Sequence, residues 1–305
     1  MIEKVKKSAF WRILLALRKC QTLNLISTLK PLVVKNSPRY IISLTSYKNR
    51  LTDTAPYAII TLLNQSVQPD KIILWVAYED KEKIPQVMEK LTQKGLEIRF
   101  CEDVRSYKKL IPALEAFPDD YIITADDDVY YPRIWFERLL DVHKENPKKI
   151  ICHRAHGIKT DENHYPLPYN IWEKRIKPGE YFAIRQNRME SIFPTGIGGI
   201  LYPPDCFYKD VTNKDFFMEF APQADDIWFW AMAVINREYF SGESPYIVIK
   251  NNVRRLQSID VKQKQGENVL LNYNVLQGGN DKQIKMVIKQ YPQIREYLRR
   301  IIDEK

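Results

Sequence analysis

The chain predicts an α/β fold, a mostly parallel sheet flanked by helices, with helical appendages at both ends. Two observations carry this. From about Arg39 short β-rich apolar runs alternate with helical stretches, and polar or acidic clusters stand where two of those runs end. Expected strands cover 40–45, 71–76, 96–100, 120–125 and 149–153. The stretches Thr54 to Gln65, Lys81 to Lys94 and Lys108 to Phe117 have helical character, and another helix runs from Pro132 to about Lys144. With 45% hydrophobic and 12% aromatic content over 305 residues, the chain can bury one sizeable core. The expected division is a basic amphipathic segment over 1–38, a main domain over 39–250 and a helical extension over 251–305, which includes Arg254 and Arg255.

The net charge of +9 is unevenly placed. Residues 1–38 carry Lys4, Lys6, Lys7, Arg12, Arg18, Lys19, Lys30 and Lys35 against Glu3 alone, so the body is nearly neutral. A near-neutral body lacks the basic footprint of a duplex-binding surface, which excludes nucleic acid as an expected partner. Phe10, Ile13, Leu14 and Leu17 stand at i, i+3, i+4 and i+7 beside basic residues. That pattern suits a helix lying on an anionic membrane, and equally a helix packed on the body through the same face. It does not span, because Arg12, Arg18 and Lys19 interrupt the apolar run well short of the roughly 20 residues a bilayer requires. The four cysteines, Cys20, Cys101, Cys152 and Cys206, are widely separated. With no Cys-x-x-Cys and no secretory leader, a reducing cytoplasm is expected, with a peripheral hold on the inner membrane face through residues 1–38 if the first helix is lipid-facing.

The densest chemistry is Asp126-Asp127-Asp128, at the end of the expected strand 120–125 and followed by Val-Tyr-Tyr-Pro. Three adjacent carboxylates after a buried strand call for a cation. On a continued strand Asp126 and Asp128 share a face, while Asp127 points elsewhere. Mg²⁺ or Mn²⁺ favours one or two carboxylates, with water and phosphate oxygens completing the shell, so a nucleotide diphosphate fits as partner. A solvated acidic turn is the plainer alternative.

Ligands of such sheets gather at the carboxyl ends of strands, so Thr45-Ser46-Tyr47 and the acidic triad should converge. The aromatic, Pro-rich stretch from Arg154 to Pro194 is expected to carry substrate contacts. Gly196, Gly198 and Gly199 lie close together where backbone can approach a ligand. They form no dinucleotide fingerprint, and no Gly-x-x-x-x-Gly-Lys-Ser/Thr loop or Gly-x-Ser-x-Gly elbow occurs in the sequence. Residues 224–235 read as a buried helix with Asp225 as its cap. Asp226 lies in the first turn, where the dipole and free amides keep a carboxylate ionised.

These pieces together resemble a nucleotide-sugar glycosyltransferase of the GT-A (Rossmann-like) fold, of the family-2 type that builds bacterial surface polysaccharides. The matching segments are Ile-Ser-Leu-Thr-Ser-Tyr-Lys-Asn-Arg (42–50), Leu-Leu-Asn-Gln-Ser with Gln-Pro-Asp behind it (62–70), the triad strand, the glycine stretch and the Asp-Asp helix, over about Arg39 to Ile249. The resemblance implies that Thr45 and Tyr47 line the base and ribose pocket, with Arg50, Asp126 and Asp127 as further donor contacts, Asp103 as an alternative base contact, and Lys108 or Lys109 near the phosphates. It also implies that Asp126 and Asp128 hold Mn²⁺ or Mg²⁺, although the family motif can be set so that Asp127 is the main ligand. Gly198 and Gly199 become the acceptor floor. Asp226 becomes the base that activates an acceptor hydroxyl, with Asp225 as fallback. The implied donor is a nucleotide-diphosphate sugar, a UDP-sugar foremost, and the implied acceptor a glycan or lipid-linked glycan.

The chain departs from the family in three places. Val76-Ala77-Tyr78 follows the second strand where an acidic base-reading residue is common, and Glu79-Asp80 comes only afterwards. The Gln-x-x-Arg-Trp signature of processive synthases is missing, so one sugar per encounter is expected. No histidine follows His164, whereas retaining relatives often place a metal-binding one late in the domain; His153, His156 and His164 are therefore left off the metal set. A sugar-nucleotide-forming nucleotidyltransferase is the rival enzyme, disfavoured because no glycine loop follows the first strand. A catalytically silent sugar-binding scaffold is the non-enzymatic rival.

Overall fold

The computed structural model describes residues 14–33, 40–176, 191–249, 257–259, 274 and 277–303. Its frame is a sheet of seven strands: β1 (Tyr40–Ser46), β2 (Lys71–Ala77), β3 (Leu96–Cys101), β4 (Tyr121–Thr124), β6 (Ile150–Cys152), β9 (Ile200–Tyr202) and β10 (Tyr246–Val248). They stand in the order β10-β6-β9-β4-β1-β2-β3. Two small pairings join β5 (Val129–Tyr130) to β11 (Gln257–Ser258) and β7 (Ala155–Ile158) to β8 (Ser191–Pro194). Every neighbouring pair in the large sheet is parallel except the two made by β9. The expected class, a mostly parallel sheet flanked by helices, is the one observed.

Doublets of apolar residues explain the layering. Successive strand residues point to opposite faces, so each of Ile41-Ile42, Ile72-Ile73, Ile122-Ile123, Ile150-Ile151 and Ile200-Leu201 supplies one buried side chain to each face. A sheet buried on both sides needs that doubling. The helices Ala55–Leu63 and Trp135–Glu145 cover one face, while Asp225–Ile235 and the C-terminal helices Gly279–Gln290 and Gln293–Asp303 cover the other. The Asp225–Ile235 helix is apolar all round, with Trp228 and Trp230 fully buried, as suits an element enclosed by protein.

Three expectations need correction. The helix at Lys81 to Lys94 is a 3-10 segment, Tyr78–Lys83, and a separate helix, Val87–Thr92. Pro85 has no N–H to donate and pushes Ile84 to an extended conformation, φ −67° and ψ 118°. The triad does not continue a strand: β4 ends at Thr124 and Asp127-Asp128 form a turn. Asp225 is the first residue of its helix and does not cap it; the N-cap is Ala224, with no side-chain cap bond.

Residues 14–24 form a helix. Its C-terminal part docks on the body: the Arg18 guanidinium lies 4.1 Å from the centre of the Tyr130 ring, Lys19 Nζ lies 5.0 Å from that of Tyr57, and Lys19 Nζ donates to Asp53 O at 2.7 Å. Leu14 and Leu17 are 39% and 54% exposed, so these two members of the apolar stripe face away from the core. Phe10, Ile13, Arg254 and Arg255 lie outside the described residues.

The reversed strand β9 decides where the cleft forms. Ile200 pairs with Thr124 on one side and Cys152 on the other, so the turn entering β9 sits beside the exits of β4 and β6. Within that turn Gly199 adopts φ +87°, and a Cβ there would lie 2.2 Å from Trp135 Cζ2. Trp135 is fully buried, and its Nε1 donates to Gly198 O at 2.8 Å. Gly199→Ala is expected to lower the unfolding free energy by about 3 kcal/mol, since a left-handed residue and an overpacked ring both add cost. Gly242, at φ +79° with nothing within 4 Å of its Cβ position, is the control. Gly242→Ala should cost only about 1 kcal/mol in the same urea titration.

Candidate active site

The acidic turn after β4 is held by one arginine. Arg50, just past β1, clasps Asp127 with Nε at 3.0 Å and with Nη2, and the same Nη2 reaches Asp128 Oδ2 at 3.0 Å. Ser46, the last residue of β1, donates to Asp127 Oδ2 at 2.5 Å. A two-pronged guanidinium suits this task, because it satisfies both oxygens of one carboxylate. The Asp127 side chain is 6% exposed, against 27% for Asp126 and 18% for Asp128, so Asp127 is the inward anchor and its neighbours border the cleft. Burial, reinforced by the charges of Asp126 and Asp127, pushes the Asp128 carboxyl up to about 6 in spite of Arg50. A turn with surplus negative charge of this kind fits one more cation, with Asp126 and Asp128 as its carboxylate donors. Among the described residues no three His, Cys, Asp or Glu side chains are already gathered in metal-ligand geometry.

A second carboxylate pair faces the first across Lys109. The Lys109 ammonium is 2.9 Å from Asp225 Oδ2 and 3.4 Å from Asp126 Oδ1. Burial alone would lower its pKa, but Asp225, Asp126 and Asp226 raise it well above the ordinary lysine value, so it stays charged. Its backbone is pinned as well: Lys109 O accepts from Ser43 Oγ at 2.7 Å, and Ser43 Oγ in turn accepts from Trp75 Nε1 at 3.0 Å. Asp225 is thus the partner of Lys109, which is why its carboxylate leaves the helix end uncapped. Asp226 accepts from the Gly196 N–H at 3.2 and 3.1 Å. Burial first, and then the charge of Asp225, push the Asp226 carboxyl up to about 7 against the pull of Lys109 and the Gly196 amide.

The three glycines separate into different tasks. A Cβ on Gly196 would lie 2.7 Å from Lys109 Nζ and 3.0 Å from Asp226 Oδ1, so Gly196 is the one that meets the carboxylates. Gly198 backs onto Arg154, 2.8 Å from its Cβ, and Gly199 onto Trp135. Spacing alone does not distinguish them.

The remaining residues spread along the strand exits. Thr45 Oγ1 donates to Trp75 O at 2.8 Å, tying β1 to β2 at the cleft edge. Tyr47 is exposed, its ring centre 5.6 Å from the Arg50 guanidinium. Asp103 accepts from Lys108 Nζ and from Arg105 N at 3.0 Å; burial opposes its ionisation, yet these partners hold its pKa below the usual carboxylate range. Asp80 lies three residues past the end of β2 in the chain. The 3-10 segment after β2 folds it back until its buried carboxylate accepts from Lys48 N at 3.1 Å and Lys83 Nζ at 2.6 Å, beside the β1 exit. An acidic residue therefore does stand at the end of β2, displaced along the chain but not in space. His153 and His156 are neutral: burial foremost pushes them down to about 4 and about 3, and each has a backbone partner, Trp135 O and Arg175 N.

The family model for Glycosyl transferase family 2 matches residues 44–202, just over half of the chain and the stretch from β1 through β9. The chain belongs to glycosyl transferase family 2. The match takes in the acidic turn, Arg50, Lys109 and the glycine turn, while Asp225 and Asp226 lie beyond its end. No curated protein sequence matches this glycosyltransferase. Among solved structures it is similar to the mannosyltransferase PcManGT from Pyrobaculum calidifontis, in complex with GDP-Man and Mn2+, with 13% identity, a TM-score of 0.48, and coverage of 94% of this chain and 80% of that one.

Arg50→Ala should destabilise the protein by about 3 kcal/mol, the cost of leaving a buried carboxylate without its partner. Arg50→Lys should recover only part of it, because an ammonium cannot bridge Asp127 and Asp128 in the same fork. Urea unfolding midpoints at pH 7 measure both.

Proposed function

We propose that this family-2 enzyme transfers one sugar per encounter, with inversion, from a nucleotide-diphosphate donor, a UDP-sugar foremost, to a glycan or lipid-linked glycan in surface-polysaccharide synthesis. The observation that carries this reading is Asp226: a carboxyl raised to about 7 and anchored on a backbone N–H, in the cleft whose other wall is the acidic turn. A base whose pKa lies near neutral pH suits removal of a hydroxyl proton. Asp226 accepts that proton as the acceptor oxygen attacks the anomeric carbon, and a single displacement of this kind inverts configuration. Asp225 keeps Lys109 in place, and Lys109 keeps the base apart from the acidic turn. Asp126 and Asp128 are the residues that would hold Mn²⁺ or Mg²⁺, which when bound offsets charge on the departing diphosphate. Thr45, Tyr47 and Arg50 line the β1 exit on the donor side. Asp103, at the exit of β3, is the carboxylate offered to the base and ribose, while Asp80 holds the Lys48 amide at the β1 exit.

The exposed Leu14 and Leu17, in the basic N-terminal segment, support a peripheral membrane contact. No helix among the described residues is long and apolar enough to cross a membrane. Deleting all of 1–38 would remove Leu29 and Leu32, which are buried, so the clean test is Leu14→Gln with Leu17→Gln. Recovery of that full-length variant on anionic vesicles should fall below wild type, and unchanged recovery refutes the contact.

Asp226→Asn should abolish turnover of a sugar nucleotide, in a panel screened with and without Mn²⁺, while donor binding persists; unchanged turnover would sink the assignment. Because the base acts deprotonated and its pKa is raised, kcat/KM should be full above pH 7 and decline as pH falls through it. Asp225→Asn removes a neighbouring negative charge and should move that acid limb to lower pH. If Asp225 were itself the base, the same variant would lose activity at every pH.

A further inference from the structure

Three cations, Arg154, Lys174 and Arg175, gather around His156 near the base. Arg154 follows β6 directly, and it packs against Gly198 while its carbonyl accepts from Thr195 N at 3.0 Å. Its Nε is buried without a hydrogen-bond partner. Lys174 lies 3.7 Å from the centre of the Tyr169 ring and donates to Tyr169 O, and Arg175 is fixed by its N–H on His156 Nδ1 at 3.0 Å. His156 and Tyr169 meet edge to face at 5.8 Å, and all three cations act on the His156 ring.

The charges act on one another. Burial, and then the positive charge of Arg175, lower the Arg154 pKa; burial, and then Arg154, push Lys174 down to about 8. Asp226 and then Asp126 act on Arg154, whereas the carboxylate that acts on Lys174 is Asp281. Asp281 is itself engaged, accepting from Tyr169 N at 2.6 Å. Cations that weaken one another's protonation are held at a cost in stability that a bound anion would remove. Lys174 and Arg175 are exposed and Arg154 is half-buried, so an anion can reach all three.

We propose that Arg154, Lys174 and Arg175 bind a phosphate carried by the acceptor, placing the acceptor's hydroxyl at Asp226. This rests on the reading of Asp226 as the base. Guanidinium groups hold phosphate through paired N–H donors, and the lysine adds a mobile point charge. Asp226 acts on Arg154 ahead of Asp126, and Lys174 stands on Tyr169, whose amide Asp281 holds, which assigns the cluster to the incoming substrate and leaves the donor's diphosphate to the acidic turn. The same phosphate chemistry could be borne by a sugar or by a lipid.

The test uses the full chain and the variants Arg154→Gln, Lys174→Gln and Arg175→Gln. Calorimetry measures binding of glucose 6-phosphate against glucose, and of dodecyl phosphate below its micelle concentration against dodecanol. UDP and GDP with Mn²⁺ are measured in parallel. Expected is binding of at least one phosphate probe and not its neutral partner, weakened about tenfold by each substitution, the loss of one charge-assisted hydrogen bond. UDP or GDP affinity should stay within about twofold of wild type, because those probes report the donor half. Preference for the sugar phosphate or for the alkyl phosphate names the source, and either supports the proposal. Absence of binding, binding equal to the neutral partner, or binding unchanged in the variants overturns it. Equal losses for the phosphate probe and the nucleotide overturn it too, since the cluster would then serve the donor. Should Arg154→Gln fail to fold, the two exposed positions carry the test. Failure of the base assignment is separate: it appears as turnover surviving Asp226→Asn, whatever the binding data give.

Discussion

The cleft depends on one buried ammonium. Five aspartates from two segments, the turn after β4 and the start of the Asp225–Ile235 helix, converge in a low-polarity interior, where their mutual repulsion would push the walls apart or protonate them. Lys109 stands between the two groups, within 2.9 Å of Asp225 and 3.4 Å of Asp126. Arg50 completes the arrangement from the other side. The ammonium sits where it does because its backbone carbonyl is tied through Ser43 to Trp75, so strands β1 and β2 set the position of a charge that the helix and the turn both require. Asp225 is committed to that charge. Asp226, one residue on, is left with a backbone amide and a raised pKa, and the adjacent aspartates thus divide into a structural and a chemical role.

Much of this frame was legible in the residues. Short β-rich apolar runs alternating with helical stretches mark a mostly parallel sheet, and strand exits carrying Thr45-Ser46-Tyr47 and Asp126-Asp127-Asp128 mark where the cleft forms. Local pattern failed where long-range geometry decides. Asp80 looked too far past its strand, but the tight segment Tyr78–Lys83 returns it to the Lys48 amide. Gly196, Gly198 and Gly199 look alike in a sequence, and only their neighbours, Asp226, Arg154 and Trp135, tell them apart. Asp225 has the composition of a cap, and nothing nearby in the chain reveals that a lysine more than a hundred positions earlier claims it. Arg154, Lys174 and Arg175 were hidden for a similar reason: Arg154 lies twenty positions before Lys174 in the chain, and only the contacts of Gly157 with Glu173 and of His156 with Arg175 bring the two segments together.

The C-terminal helices join the site to the rest of the molecule. Gly279–Gln290 and Gln293–Asp303 close over the Asp225–Ile235 helix: Tyr291 packs on Trp228 with ring centres 5.9 Å apart and donates to Asp210 Oδ2 at 2.9 Å. Gln283 accepts from Gln223 N at 2.8 Å, just ahead of the helix start. The helix that presents Asp225 and Asp226 is therefore braced just ahead of its start and in its first turns, so the two carboxylates hold their orientation without a side-chain cap.

The reversed strand has a consequence for biogenesis. In space β9 fills the slot between β4 and β6, yet it leaves the ribosome after both. Until residue 200 arrives, the nascent chain carries two apolar edges with unsatisfied amides and carbonyls facing a gap, the kind of surface that pairs with strangers. Insertion of β9 also delivers the glycine turn, so closing the gap in the sheet and placing Gly196 in the cleft are one event, and the Asp225–Ile235 helix that follows brings the carboxylates to it.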